Sequence, residues 1–216
     1  MRVGIFTDTY LPDCNGVAAA VGALARELAA IGHHPSIIAP AGPHTTDENF
    51  GFTHICLPAF RHERIPLPLC WSALGWPKSK SIVNSEFDII HAHGLGPVGV
   101  YGARVAHRLN IPLVLTIHTD VLAYVAHYPV TARLATPLKH ILLYQVRKLL
   151  KTAELQGTRD GHLSEQLLRC FAAASACVIV PTQKTAGKFA DYIGNARLEI
   201  CPSGLELPRM ESLGYR

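Results

Sequence analysis

The 216-residue sequence has six cysteines but no C-x-x-C pair, and no signal-peptide core separates Met1-Arg2 from the first strand pattern. Together these make a reduced, cytoplasmic protein the expectation. Runs of like charge are missing too, and the formal net charge is only +4, with a pI near 8.8. Nothing in that balance argues for a nucleic-acid partner. No apolar stretch approaches the roughly 18 residues that a membrane span needs, so any membrane contact is expected to be peripheral. Internal repeats and low-complexity tracts are also lacking.

What remains is a chain 49% hydrophobic and 17% charged. It is long enough for one packed core, as one large domain or one domain plus a fragment. Short apolar runs alternate with helical patterns. Strands are expected at 2–6, 35–40, 53–58, 87–93, 112–118, 177–181 and 198–202. Helices are expected at 16–31, 96–109 and 182–192, with a long helical tract over 131–175. Continuous apolar strands separated by helices are what a parallel sheet buried on both faces requires. The fold class is α/β, a Rossmann-like doubly wound parallel sheet with helices on both faces.

In such a sheet ligands gather beyond the carboxyl ends of the strands. The unusual residues fall there: Asp8 to Gly16, His91-Ala92-His93-Gly94, His118-Thr119-Asp120 and Pro202-Ser203-Gly204. Residues 60–80, rich in proline and aromatics, read as a loop over that cleft, or an ordinary surface excursion, rather than a sheet element.

Asn15-Gly16 marks a helix start, where glycine can take positive φ and where unpaired N–H groups suit an anion. Two roles are open: an anion cradle, or a plain cap and turn. Neither a G-x-G-x-x-G dinucleotide fingerprint nor a G-x-x-x-x-G-K-[ST] P-loop is expected in this chain, which demotes a dehydrogenase and a P-loop hydrolase.

His91 and His93 share one face of a strand, but a metal would need a further ligand and supporting contacts, and no metal site is expected. Asp8 is a candidate for binding an acceptor hydroxyl or for ordering its loop. Asp120 is a candidate for orienting His118 or for binding substrate. A paired-carboxylate nucleophile is not readable from this chain.

The stretches "RVGIFTDTYLPDCNGVAAAVGALARELAAIGHHPSIIAP", "FDIIHAHGLGPVGVYGARVAHRLNIPLVLTIHTDVLAYVAHY", "ASACVIVPTQKTAGKFADYI" and "EICPSGLE" resemble, in this order, the amino-terminal domain of family 4 glycosyltransferases. These are retaining enzymes of the GT-B fold. The resemblance covers nearly the whole chain and implies one half of a GT-B fold over residues 1–206, with 207–216 beginning a crossover. It implies that Asn15, Gly16 and Val17 lie against the diphosphate of a nucleotide-sugar donor. It implies further that His118, within an H-T-D-x-x-x-Y pattern, faces the transferred sugar or the acceptor and is the candidate catalytic residue. His93, Asp8, Asp120, Tyr124 and Tyr128 would then contact acceptor or sugar, as would the surroundings at 60–76. No cofactor beyond the donor substrate is implied, and GT-B chemistry generally proceeds without metal.

The second GT-B domain expected by resemblance is absent from this chain, and Glu206 stands where the family more often has aspartate. Three readings stay open: part of a longer transferase, half of a split enzyme completed by a carboxy-terminal domain in another chain, or a non-catalytic glycan- or lipid-binding module. The tract 138–151 projects His140, Arg147, Lys148 and Lys151 on one arc and leucines on a broad apolar arc, with Lys139 on the apolar side. It fits peripheral contact at the inner membrane face or simple packing on the sheet.

Overall fold

A computed structural model of the chain describes residues 1–11, 13, 15–40, 52–60, 69–70, 82, 86–118, 120, 123, 136–150, 161–194 and 196–202. Its main sheet contains β1 (Arg2–Thr7), β2 (His34–Pro40), β3 (Thr53–Leu57), β6 (Ile89–His93), β7 (Leu113–Thr116), β8 (Cys177–Val180) and β9 (Arg197–Ile200). The strand order is β3-β2-β1-β6-β7-β8-β9, with every pairing parallel. All carboxyl ends therefore share one edge. The chain steps outward from β1 to β3 on one side and from β6 to β9 on the other, so the order reverses between β1 and β6. That junction is the switch point, where such sheets open a crevice.

The helices are α1 (Gly16–Ala30), α2 (Pro97–Leu109), α3 (Thr136–Arg147), α4 (Leu163–Ala173) and α5 (Gln183–Ile193). Their starts and stops are locally encoded. Asn15 caps α1, and Pro97 opens α2, where its missing N–H costs nothing. Asn110 closes α2 in the left-handed region at φ 53°, and Thr182 caps α5 by accepting the Thr185 N–H at 3.1 Å.

Two apolar clusters divide the sheet faces. Val3, Ile5, Ile37 and Ala39 pack with Val21 and Ala25 of α1. Phe6, Ile38, Ile90, Ala92, Leu115 and Val178 face the other way, toward α2, α3, α4 and α5. Strand side chains alternate, so the odd-numbered residues of β6 lie on the α1 face; Ile89 already packs there. His91 and His93 follow Ile89 on that face.

Two sequence expectations are corrected here. The helical tract over 131–175 is two helices among the described residues. The Leu149 and Leu150 N–H groups reach back only three residues, to Val146 and Arg147, tightening and ending α3. Inside 60–80, expected to hold no sheet element, β4 (Ala59–Phe60) pairs antiparallel with β5 (Leu69–Cys70), because buried Cys70 anchors the return strand in the core. The rest of that stretch lies outside the described residues, as do Tyr124, Tyr128, Thr119, Ser203, Gly204 and 207–216.

On α3, Leu142, Leu143 and Val146 are buried, so its apolar arc packs on the core. Ile141 and Tyr144 stay 44% and 61% exposed, and the Lys148 ammonium lies over the Tyr144 ring. Lys139 is half-buried, which lowers its pKa. Arg147 bonds Gln166 of α4 at 2.9 Å. Among the described residues no helix is long and apolar enough to cross a membrane. Cys170, Cys177 and Cys201 are free thiols.

Candidate active site

The loop after β1 is braced by short polar side chains. Thr7 Oγ1 donates to the Thr9 carbonyl at 2.8 Å, and Thr9 Oγ1 donates to Asp13 Oδ2 at 3.0 Å. Asn15 Nδ2 donates to Thr9 Oγ1 at 2.7 Å, and this bond aims the Asn15 amide oxygen at the helix start. That oxygen accepts the Val17 and Ala18 N–H groups at 3.0 and 2.9 Å. Asn15 is thus the cap of α1, and it engages the Val17 N–H that the sequence offered to a ligand.

Gly16 is not in the left-handed region, contrary to the use of glycine expected from the sequence. It is the first residue of α1 and is exposed, and a Cβ added there would meet nothing within 4 Å. Neither backbone strain nor packing within the described chain demands a glycine at this place. A groove of about 510 Å³ runs beside it, lined by Tyr10, Asp13, Asn15, Gly22 and Arg26 among others. Its volume is that of a small-molecule site.

Asp8, at the end of β1, is only 5% exposed. Its Oδ1 accepts the Val98 N–H at 2.8 Å, and the Gly96 and Gly99 N–H groups also bond the carboxylate. The carboxylate therefore sits on the amino terminus of α2. Burial pushes its pKa up to about 6, against the lowering effect of those backbone donors.

This contact explains a motif and corrects an expectation. The G-x-G-x-x-G fingerprint, expected to be missing, stands at the β6–α2 junction as Gly94-Leu95-Gly96-Pro97-Val98-Gly99. Gly94 makes the tight turn at φ 108°. A Cβ at Gly96 would overlap the Asp8 carboxylate, and one at Gly99 would overlap the Gly94 carbonyl oxygen. The glycines serve turn, close anion approach and helix–strand packing, as in a dinucleotide site, but the anion is the protein's own. The pattern was legible; its occupant was not, because Asp8 lies some 90 residues away and meets α2 only through strand pairing.

Across the switch point the register aligns Thr7 with His93 and His93 with Thr116. His91 Nε2 is 2.7 Å from Thr116 Oγ1. His93 Nδ1 is 2.7 Å from His118 Nε2, and the two rings are nearly parallel, 19° apart. The His91 and His93 rings are 4.2 Å apart. All three imidazoles are held neutral. Burial and the neighbouring His118 lower His91 to about 4; burial foremost, then His91 and His118, drives His93 well below its ordinary value; burial lowers His118.

Among the described residues no group of three His, Cys, Asp or Glu is arranged to hold a metal ion. Asp120 Oδ1 accepts the Ala123 N–H at 2.9 Å, and its other oxygen pairs with Lys188 of α5. The structure thus joins His93 and His118 at the carboxyl ends of β6 and β7, while Asp8, at the end of β1, is turned to the start of α2. Asn15 and Gly16 lie at the α1 start, in a groove whose lining includes none of the three histidines. Thr7, Thr9 and Thr116 were missed in the sequence, since isolated threonines give no signal there.

The model of glycosyltransferase family 4 matches residues 14–209, nearly the whole chain. The chain belongs to this family. An alpha-monoglucosyldiacylglycerol synthase from Streptococcus pneumoniae is 29% identical over 98% of the chain and 42% of that protein. One of the same name from Acholeplasma laidlawii is 28% identical over 100% of the chain and 49% of that protein. A GDP-mannose-dependent alpha-mannosyltransferase from Corynebacterium glutamicum is 34% identical, over 59% of the chain and 32% of that protein. The chain thus spans about half the length of the first two relatives. In fold it is similar to a sucrose-phosphate synthase from Thermosynechococcus elongatus, with a TM-score of 0.50, 13% identity, and coverage of 95% of this chain and 91% of that one. The family 4 chain is therefore a Rossmann-like half of a GT-B fold.

Proposed function

We propose that this chain forms the acceptor-side half of a retaining, metal-independent glycosyltransferase that moves a sugar from a nucleotide-sugar donor to a hydroxyl of a lipid acceptor. One observation carries the reading. Of the two helix starts that follow β1 and β6, that of α2 is filled by Asp8, while that of α1 opens on a neutral cap and an exposed glycine. A donor diphosphate, as a dianion, is repelled by the first and attracted by the dipole of the second.

In this reading Gly16 lets the diphosphate approach the backbone. The sugar then reaches toward the rim of β6 and β7, where His118 offers a hydrogen bond. As the bond between the anomeric carbon and the phosphate oxygen breaks, charge grows on the diphosphate. Fixed dipoles stabilise it there without reorganising. The acceptor oxygen forms the new bond to the anomeric carbon, and its proton leaves with the departing diphosphate.

A lipid acceptor is favoured by the relatives that match the chain end to end, both named for a glucosyldiacylglycerol product. The exposed Ile141 and Tyr144 beside Lys148 supply a surface for peripheral membrane contact. Soluble glycans remain the other acceptor class.

Backbone amide NMR of the chain titrated with UDP-glucose and GDP-mannose tests donor binding at Gly16. Absence of any shift at Gly16 with either donor overturns the placement. Transfer to diacylglycerol vesicles is then measured with and without a separately supplied carboxy-terminal half, each with EDTA, which is expected to leave the rate unchanged. Donor or vesicle binding with no transfer in either mixture would favour a non-catalytic binding module instead.

A further inference from the structure

We infer that His93 is a positioning residue that fixes the tautomer of His118, so that His118 presents a protonated Nδ1 as a hydrogen-bond donor to substrate. The inference rests on the proposed role of His118, but its first test needs no substrate.

The geometry leaves two arrangements. Both imidazoles are neutral, so one proton lies in the 2.7 Å contact between His93 Nδ1 and His118 Nε2. If His93 donates, His118 carries its own proton on Nδ1, and His93 Nε2 is a bare lone pair. If His118 donates, its Nδ1 is bare, and His93 Nε2 carries a proton.

His93 Nε2 decides between them. It is buried, on a residue 5% exposed, and has no hydrogen-bond partner. A buried N–H left without an acceptor is rarer than an acceptor left under-satisfied. The orphan is therefore the lone pair, and the proton between the rings belongs to His93. Protonating His93 Nε2 as well would place a cation between His91, at a ring separation of 4.2 Å, and His118. The near-parallel rings, 19° apart, keep the N–H close to the plane of the accepting nitrogen. His118 is half-buried, so Nδ1 is the polar edge it has left for a ligand.

The consequence is chemical. A His118 with Nδ1–H gives a hydrogen bond to a sugar hydroxyl or ring oxygen and cannot take a proton from the acceptor at that nitrogen. The residue acts as a donor, not as a general base.

The test is ¹⁵N imidazole NMR of the intact chain at neutral pH. The expected result is a pyrrole-type nitrogen at His118 Nδ1 and a pyridine-type nitrogen at His118 Nε2, with His93 protonated at Nδ1. A pyrrole-type His118 Nε2 overturns the inference. His93→Asn keeps a donor near the Nδ1 position and is expected to retain the His118 tautomer, whereas His93→Leu removes it and is expected to shift His118 toward a mixture. An unchanged tautomer in His93→Leu also overturns it. Should His93→Leu not fold, the wild-type spectrum and His93→Asn still decide. Failure of Gly16 or His118 to respond to donor would count against the proposed function and leave the tautomer result standing.

Discussion

The Asp8 carboxylate accepts the Val98 N–H at 2.8 Å, joining the end of the first strand to the first turn of a helix that follows a strand 90 positions further along. The contact ties together the two sides of the switch point. It also makes the α2 start a poor place for an external anion, since a phosphate there would have to displace an internal carboxylate held by three backbone donors. The glycine pattern of a dinucleotide site is retained there, and its electrostatics are spent inside the protein.

Asp8 makes stability depend on pH in a direction opposite to most carboxylates. Its folded pKa is near 6 and that of an unfolded aspartate is about 3.9, so between those values the folded chain holds the extra proton. The contribution is fully present below about 3.9 and is lost as pH rises through about 6, a loss on the order of 3 kcal/mol. Asp8→Asn keeps an acceptor for the helix start without the charge. Relative to wild type it is expected to gain stability between pH 4.5 and pH 7.5 in urea denaturation. A difference that does not change with pH would refute the buried-carboxylate account.

The histidine cluster works the other way. His91 titrates near 4 when folded and near 6.5 when unfolded, so its contribution is present above 6.5 and is lost as pH falls through about 4. His93 and His118 shift in the same direction, so three imidazoles outweigh one carboxylate and the wild-type chain is expected to lose stability on acidification. His91→Gln retains a partner for Thr116 Oγ1 and removes the titration. Its denaturation midpoint is expected to fall less than that of wild type between pH 7 and pH 5. An equal or steeper fall would show that the imidazoles are not the acid-sensitive element.

The alternating pattern of apolar runs was enough to read the parallel sheet, because strands such as "GIF" and "VIV" must be buried on both faces to be stable, and the ends of the unusual motifs fell at strand ends. Helix limits were legible where a cap marks them, as at Asn15 and Thr182. They were missed in the tract that breaks after Arg147, although Gly157 and Asp160-Gly161 interrupt the helical pattern in the sequence. Within the site, the sequence brought Asp8, His93 and His118 to one edge, but their partners depend on register and on contacts between distant strands. The Asp8–Val98 and His93–His118 bonds have no local signal.

Asp120 and Lys188 link the segment after β7 to α5 through an exposed pair, with side chains 34% and 45% exposed. Such pairs are worth about 0.2 to 1 kcal/mol. Lys188→Met is expected to move the melting temperature by only a few degrees. Hydrogen exchange at the Ala123 amide, held by the same carboxylate at 2.9 Å, is expected to quicken. Unchanged exchange at Ala123 would show that Lys188 does not position Asp120.

Gly16 and Gly99 separate function from packing. Both are helical glycines, and alanine is intrinsically the better helix former by up to about 1 kcal/mol. At Gly99 the added Cβ would collide with the Gly94 carbonyl oxygen, part of the backbone that carries the turn onto α2. Backbone cannot swing aside as a side chain can, so Gly99→Ala is expected to destabilise by about 1 to 3 kcal/mol or more, read as a lower urea midpoint. At Gly16 the Cβ meets nothing within 4 Å, so Gly16→Ala is expected to keep or slightly raise stability. If a diphosphate packs against this turn, the same methyl group stands in its path, and donor affinity is expected to fall tenfold or more while the fold is intact. Loss of stability in Gly16→Ala would mean that the glycine serves the fold. Unchanged stability with unchanged donor binding would mean that the open space beside α1 is not where the diphosphate lies.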